Sequence, residues 1–317
     1  MSLHLNIIAR TNGVGLDRDV DLVRDLAQAA GHKVKISHSR GTSPLFVILP
    51  QRSIFDANIF MERVFTRWIG AAKTNILIPN QERFPERHLG RLGKIDHIFC
   101  KTEHGLEAFQ KHHPSCHLTR FTSKDLLDDS IPRKPKSFLH LAGRSTLKGT
   151  ATVLSTWAKH PEWPELTLLQ HADNAPAEVP KNVRLITDYL SDDEIVKLAN
   201  EHQFHLCPSE SEGWGHYLVE AMSCRASVIT TDAPPMNELV TTSHGLLAKF
   251  HTSQKRHLGT NFFVDPGSLE QQIETALMMS TDRVAEMGEA ARAWMIQNDE
   301  TFRATLTALL EQLISPS

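Results

Sequence analysis

A chain of 317 residues, 40% hydrophobic and 22% charged, carries enough apolar material for two cores of ordinary size, which excludes a disordered or fibrous protein. No apolar run nears the ~18 residues a membrane-spanning helix needs. The opening MSLHLNIIAR lacks the basic region and longer apolar stretch of a secretory leader, so the protein is expected in the cytoplasm and these residues in a first strand.

Residues 3–9 form the first apolar run. Asn12, Gly13, Val14 and Gly15 break it. Leu16, Val20, Val23, Leu26 and Ala27 then recur at helical spacing over 17–30, and Gly31 ends the helix. Strand-like runs follow at 33–37, 45–49, 75–78 and 96–101. Strands alternating with helices predict a parallel sheet covered on both faces. Residues 130–137, SIPRKPKS, hold two prolines and three basic side chains and read as a linker. The rhythm then restarts with a strand at 138–142, a helix at 149–157 and strands at 166–169 and 183–186. Ser191 and Glu194 have the spacing of a capping box that opens a helix to about 201. A strand at 204–207, a helix at 216–224 and a strand at 228–231 follow. Ser268 is expected to cap one more helix, and 282–313 reads as helical throughout. The fold class is α/β, with Rossmann-like domains at 1–132 and 137–297 and a C-terminal helix, 298–317, returning to the first.

Cys100, Cys116, Cys207 and Cys224 lack paired spacing and read as free thiols. His112, His113, Cys116 and His117 are close in sequence but lack metal-site spacing, so no metal is expected. Residues 1–133 hold 19 Lys and Arg against 14 Asp and Glu; residues 134–317 hold 15 against 23. The basic excess reads either as ordinary variation or as attraction to an anionic partner, a phosphate-bearing acceptor or the inner membrane surface. Arg83, Arg87, Arg91 and Lys94 fall in the segment RFPERHLGRLGK, which reads either as a solvated face or as the contact with that partner. No specific nucleic-acid motif is present.

The densest chemistry lies at 204–221. An apolar strand, FHLCP, leads into SESEGWG and then a helix. Ligands of open α/β sheets bind at the carboxyl ends of the strands. Gly213 and Gly215 let the backbone approach a ligand closely, and the free N–H groups of the helix start favour phosphate. Glu212 sits on the loop; Glu220 sits on the helix, on the face of His216 four residues earlier. Two readings of the acids stand open on these residues alone. They are solvated side chains, or they grip two places on one elongated, hydroxyl-rich, phosphate-bearing ligand such as a nucleotide sugar.

The order Pro208-Ser209, Glu212-Gly213-Trp214-Gly215, Glu220-Ala221-Met222, a strand at 227–231 and Pro235-Met236-Asn237-Glu238 resembles the C-terminal domain of retaining GT-B glycosyltransferases of family 4, the glycosyl transferases group 1. Gly143-Arg144 followed by Lys148-Gly149 resembles the Gly-Arg…Lys-Gly element that opens the same domain, although the Arg–Lys spacing is one residue shorter than the commonest form. The likeness covers residues 137–297 well and the first domain weakly. It implies a GT-B fold, two Rossmann-like domains facing a cleft, and sugar transfer with retention from a nucleoside-diphosphate sugar to a hydroxyl. Arg144 and Lys148 would hold the diphosphate, with Gly143 beside it. Glu212 and the backbone of Gly213, Trp214, Gly215 and His216 would meet the sugar, and Glu220 the ribose. Gly13 and Gly15 match the family's glycine-rich first loop near the donor phosphates. No metal and no cofactor beyond the donor is implied. Asn80, Glu82 and His104, just past strand ends in the first domain, are candidates for the acceptor side. The rival reading is a degenerate relative that binds a nucleotide sugar or a partner without turnover, against which stand Arg144, Lys148, Glu212 and Glu220, all present. A dinucleotide-dependent oxidoreductase is excluded, because Arg18 stands where the third glycine of Gly-x-Gly-x-x-Gly belongs.

Overall fold

The computed structural model describes residues 2–10, 15–40 and 54–314. The strand expected at 45–49 and the candidate Gly13 lie outside them. The chain divides into two compact units. The first is Met1–Thr122 with Arg256–Gly259 and Asn298–Ser317; the second is Ser123–Lys255 with Thr260–Gln297.

The first unit runs β1 (His4–Ala9), α1 (Gly15–Ala29), β2 (Lys33–His38), β3 (Phe55–Glu62), β4 (Ala72–Pro79), β5 (His97–Cys100), α2 (Glu103–Phe109) and β6 (Cys116–Leu118). Its described strands form one parallel sheet in the order β2-β1-β3-β4-β5-β6. Sequence patterning misses β3, because Asp56 and Asn58 interrupt the apolar run. Yet β3 is central, and Asn58 is fully buried. Asn6 Nδ2 donates to Asn58 Oδ1 at 2.9 Å, and Asn58 Nδ2 donates to Asn75 Oδ1 at 2.9 Å and to Trp68 O at 2.7 Å. The three amides sit level in register across β1, β3 and β4. A buried amide is tolerated when its donors are satisfied, and a one-residue slip of β3 would leave this row unpaired. Two 3-10 segments, Gln81–Arg83 and Glu86–Lys94, connect β4 to β5.

The second unit runs β7 (Lys134–Gly143), α3 (Thr150–Lys159), β8 (Leu166–Gln170), β9 (Val183–Ile186), α4 (Asp192–Glu201), β10 (His202–Cys207), α5 (His216–Ser223), β11 (Ser227–Thr231), α6 (Met236–Leu239), β12 (Gly245–Ala248), β13 (Phe250–Arg256), β14 (Gly259–Val264), α7 (Pro266–Met278) and α8 (Thr281–Ile314). Its parallel sheet has the order β12-β11-β10-β7-β8-β9. Phe138 stacks on Phe204 at 5.0 Å and meets Trp157 edge-on at 5.2 Å in its core. Residues 134–137 of the expected linker belong to β7. Lys136 N donates to Gln203 Oε1 there, so the strand begins in polar residues that carry no apolar signal. The β13–β14 hairpin is also unannounced, because FHTSQKR is exposed almost throughout. The Ser191–Glu194 capping box is present. Ser268, however, does not cap α7. Asp265 does, its Oδ1 accepting from Ser268 N at 2.8 Å ahead of Pro266 at the first turn, while Ser268 Oγ accepts from Lys249 N.

Helix α8 has 34 residues, of which 281–297 fall in the second unit and 298–314 in the first. Among the described residues no helix is long and apolar enough to cross a membrane.

Candidate functional site

Strands β7 and β10 are neighbours in the second sheet, and the loops at their carboxyl ends carry both sequence motifs. The loops are stitched together. Glu210 N donates to Leu147 O at 2.9 Å. Gly149, at φ 67°, caps α3 where a Cβ would stand 2.4 Å from Pro208 O, so only glycine fits. Gly215, at φ 111°, caps α5 where a Cβ would stand 2.6 Å from a Leu218 methyl. The loop after β10 is also braced from β11 and β14: Thr231 Oγ1 donates to Ser209 O at 2.8 Å, and Phe262 N donates to Glu210 O at 2.7 Å.

This scaffold brings Lys148 and Glu212 together. Lys148 Nζ lies 2.5 Å from Glu212 Oε1, with side chains only 15% and 13% exposed. The ammonium also sits 3.5 Å from the centroid of the Tyr217 ring, a cation–π contact. Ser209 Oγ donates to the same Glu212 oxygen and pairs with Tyr217 Oη. Burial pushes the Tyr217 pKa well up, with Cys207 and Glu212 adding to it, so the phenol keeps its proton and donates to Ser209. Glu212 thus ends a relay of donors, Tyr217 to Ser209 to Glu212, with Lys148 closing it from the other side. Glu220 lies in α5 with 7% of its surface exposed. Neither acid is the solvated side chain that remained open from sequence.

Trp214 is 3% exposed and its Nε1 donates to Ser123 Oγ at 3.2 Å; the same oxygen lies 2.9 Å from His216 Nδ1. Ser123 therefore anchors the aromatic and the histidine that flank Gly215. Gly143 ends β7 at φ 56° with open space around it. Arg144 follows, exposed, with its backbone oxygen accepting from Asn174 Nδ2; among the described residues its guanidinium makes no hydrogen bond or ion pair. Gly213 completes the loop.

Behind the site lies a residue that sequence reasoning missed. His140 Nδ1 donates to Leu206 O at 2.7 Å, and Nε2 accepts from Thr150 Oγ1 at 2.9 Å. Burial, opposed by the hydrogen bond to Leu206 and helped by Lys148, lowers its pKa to about 4, so it ties β7, β10 and α3 as a neutral imidazole. Tyr217 was also missed. A polar residue inside an apolar strand and a lone tyrosine after a histidine carry no distinctive signal.

The first-unit candidates occupy the carboxyl ends of β4 and β5. Asn80 opens the Gln81–Arg83 turn with Oδ1 buried and unbonded, and Glu82 is 4% exposed. His104 stands in the first turn of α2, which Thr102 caps by accepting from Gly105 N; burial lowers the histidine's pKa. Gly15 opens α1. In HHPSCH, His113 Nε2 donates to Ile95 O, and Ser115 Oγ meets both His97 and His117. Among the described residues no group of three or more His, Cys, Asp or Glu converges as metal ligands, and the four cysteines are free. A hollow of about 680 Å³ lies at the opposite, amino ends of β7 and β8, and none of the candidate site residues lines it.

The family described as glycosyl transferases group 1 matches residues 132–294, just over half of the chain. No curated protein matches it. Among solved structures, a glycosyltransferase from Rickettsia africae ESF-5 is similar at TM-score 0.78 and 12% identity, with 100% of both chains covered. Sucrose-phosphate synthase from Thermosynechococcus elongatus is similar at 0.73 and 13%, covering 99% of this chain and 100% of that one. Anabaena HepE, in complex with UDP and glucose, is similar at 0.71 and 14%, covering 98% and 100%. At these identities the likeness establishes the fold, two Rossmann-like α/β domains of the GT-B type with a C-terminal helix.

Proposed function

Because the chain belongs to the glycosyl transferases group 1 family, we propose that it is a retaining transferase of glycosyltransferase family 4, which moves a sugar from a nucleoside-diphosphate donor to a hydroxyl of a glycan, glycolipid or other acceptor. The observation that carries this reading is the Lys148–Glu212 pair, set on two stitched loops at the carboxyl edge of the second sheet. A glycosidic bond to a diphosphate breaks only as charge builds on the phosphate oxygens. Lys148 has further N–H groups to offer there, and Arg144 carries a guanidinium with no partner among the described residues. The N-terminus of α5 adds its dipole. These groups supply the charge that a metal would otherwise supply, so the reaction is metal-independent. Glu212 accepts from a sugar hydroxyl, and Glu220 from the ribose hydroxyls. The acceptor hydroxyl enters on the face the diphosphate leaves, and the departing phosphate oxygen takes its proton. The UDP and glucose bound to Anabaena HepE support this ligand class. The basic segment 83–94 is assigned to an anionic acceptor, with peripheral contact at the inner membrane face if that acceptor is a lipid.

A thermal-shift panel of nucleoside diphosphates and their sugars tests the reading. A ligand at a hundred times its Kd stabilises by ~2.7 kcal/mol. At least one nucleoside diphosphate is expected to raise Tm by several degrees. A panel with no shift at millimolar concentration overturns the donor assignment.

A further inference from the structure

The first unit holds a concentration of arginines that the donor site does not use. It lies at the carboxyl edge of the first sheet, where β3 ends at Glu62 and β4 at Pro79. Arg63 follows β3; Arg83 follows β4; Arg87 and Arg91 belong to the segment Glu86–Lys94. Arg91 Nη1 donates to Val64 O at 3.3 Å, which ties that segment to the end of β3. Arg256 and His257 come from the hairpin tip, which belongs to the same unit. Leu258 N donates to Gln81 O at 3.2 Å, and a Cβ on Gly259 would stand 3.1 Å from Glu82 N, so the tip rests on the Gln81–Arg83 turn.

The groups are not mutually satisfied. Arg63 Nε is 3.4 Å from Glu62 Oε1, and Arg83 Nε is 3.6 Å from Glu82 Oε1; both are loose pairs. Among the described residues the guanidiniums of Arg87 and Arg256 make no ion pair. Arg63 Nε and Arg256 Nε are buried without a hydrogen bond. So is His88 Nδ1, on a side chain only 8% exposed. Buried donors left without acceptors destabilise a fold, so this edge is held at a cost to stability. The arginines act on the histidines beside them. Burial and then Arg91, Arg87 and Arg63 lower the pKa of His88. Burial and then Arg256, Arg63, Arg87 and Arg83 lower that of His257. Glu62 and Glu82 are paired with Arg63 and Arg83 in the same cluster.

We propose that Arg63, Arg83, Arg87, Arg256 and His88 form a phosphate-monoester site, which takes the phosphate of the acceptor. A monoester carries close to two charges and three terminal oxygens at neutral pH, and planar guanidinium forks match such oxygens in pairs. A carboxylate offers two oxygens and one charge, too little for the donors gathered here. These side chains follow the carboxyl ends of β3 and β4, the edge at which open α/β sheets bind small ligands. That the phosphate belongs to an acceptor rests on the transferase reading; the site itself does not.

The test is direct binding to the full chain, by calorimetry with inorganic phosphate and glucose 6-phosphate, against glucose as the uncharged control. Phosphatidylcholine vesicles with and without phosphatidic acid form a second arm. Both phosphates are expected to bind and glucose not. Glucose 6-phosphate binding without vesicle capture identifies a soluble acceptor; capture only by vesicles with phosphatidic acid identifies a lipid one. Arg87→Gln, at an exposed position, should weaken phosphate binding tenfold or more at unchanged Tm, and Arg256→Gln should do the same, while Lys159→Gln, at an exposed position of the second unit, leaves it unchanged. Absence of phosphate-dependent binding in both arms, or equal affinity in the arginine variants, overturns the site. Phosphate binding with no nucleoside-diphosphate binding in the panel above would instead overturn the transferase reading and keep the site.

Discussion

Replacing Lys148 with Met keeps the side-chain stem over Tyr217 and removes only the ammonium. Lys148 Nζ is 2.5 Å from Glu212 Oε1 and both side chains are about seven-eighths buried, so solvent screens the pair little. A hydrogen bond to a charged group contributes ~1.5–3 kcal/mol, and a largely desolvated cation over an aromatic ring up to ~2 kcal/mol. Lys148→Met should therefore destabilise the protein by about 2–4 kcal/mol in urea unfolding. Glu212→Gln should cost a similar amount, by leaving the ammonium beside a neutral amide. In the double variant each change removes the other's stranded charge, so its cost should fall short of the sum of the two by about 1.5–3 kcal/mol. In steady-state assays at saturating donor, Lys148→Met should lower kcat by ~10²-fold or more, the scale of one lost charge-stabilising donor. Additive stabilities within ~0.5 kcal/mol would refute the pairing, and an unchanged kcat would remove Lys148 from the reaction.

Glu220→Ala should weaken nucleoside-diphosphate affinity about tenfold or more in calorimetry, through the lost ribose contact; equal affinity excludes that role. Arg144→Ala should cut kcat by ~10²-fold with an unchanged circular dichroism spectrum, since the side chain is exposed. Turnover should survive EDTA, and loss of activity restored by magnesium or manganese would contradict the metal-free reading. His140 gives a pH dependence: its pKa is lowered from 6.5 to about 4 in the folded state. Above pH 6.5 both states are neutral and the group has no effect. As pH falls from 6.5 towards 4 the unfolded state takes up the proton first, so stability declines by up to ~1.4 kcal/mol per pH unit. His140→Gln should flatten the urea stability profile between pH 6 and pH 4.5 by about one proton, and an unchanged slope would show that His140 does not titrate on unfolding.

The second unit was legible because its site is local in sequence: β10, the glycine loop and α5 are continuous, and Glu212 and Glu220 arrive with them. The facing loop needed only Arg144 and Lys148 at one strand end. Tertiary pairing was not legible. Nothing in the order of residues shows that Lys148 closes on Glu212, that Tyr217 and Ser209 complete the relay, or that Gly149 is required by Pro208 O. The missed strands share a cause. In β3 the buried amide Asn58 replaces the apolar residue that periodicity looks for, and its partners Asn6 and Asn75 lie 52 and 17 residues away. The hairpin is exposed, so no burial pattern marks it. Its tip places Arg256 beside the basic segment that sequence singled out, which joins residues more than 160 positions apart.

The central claim is retaining transfer from a nucleoside-diphosphate sugar, and the anomeric proton of the first-formed product tests it most directly. Proton NMR on the protein with the donor that most raises its Tm, with water as acceptor, reads that proton before mutarotation. The account predicts release of nucleoside diphosphate with the sugar first appearing in the anomeric configuration of the donor, at a rate lower by ~10²-fold or more in Lys148→Met. A first-formed product of inverted configuration contradicts retention, and an equal rate in the variant contradicts the site.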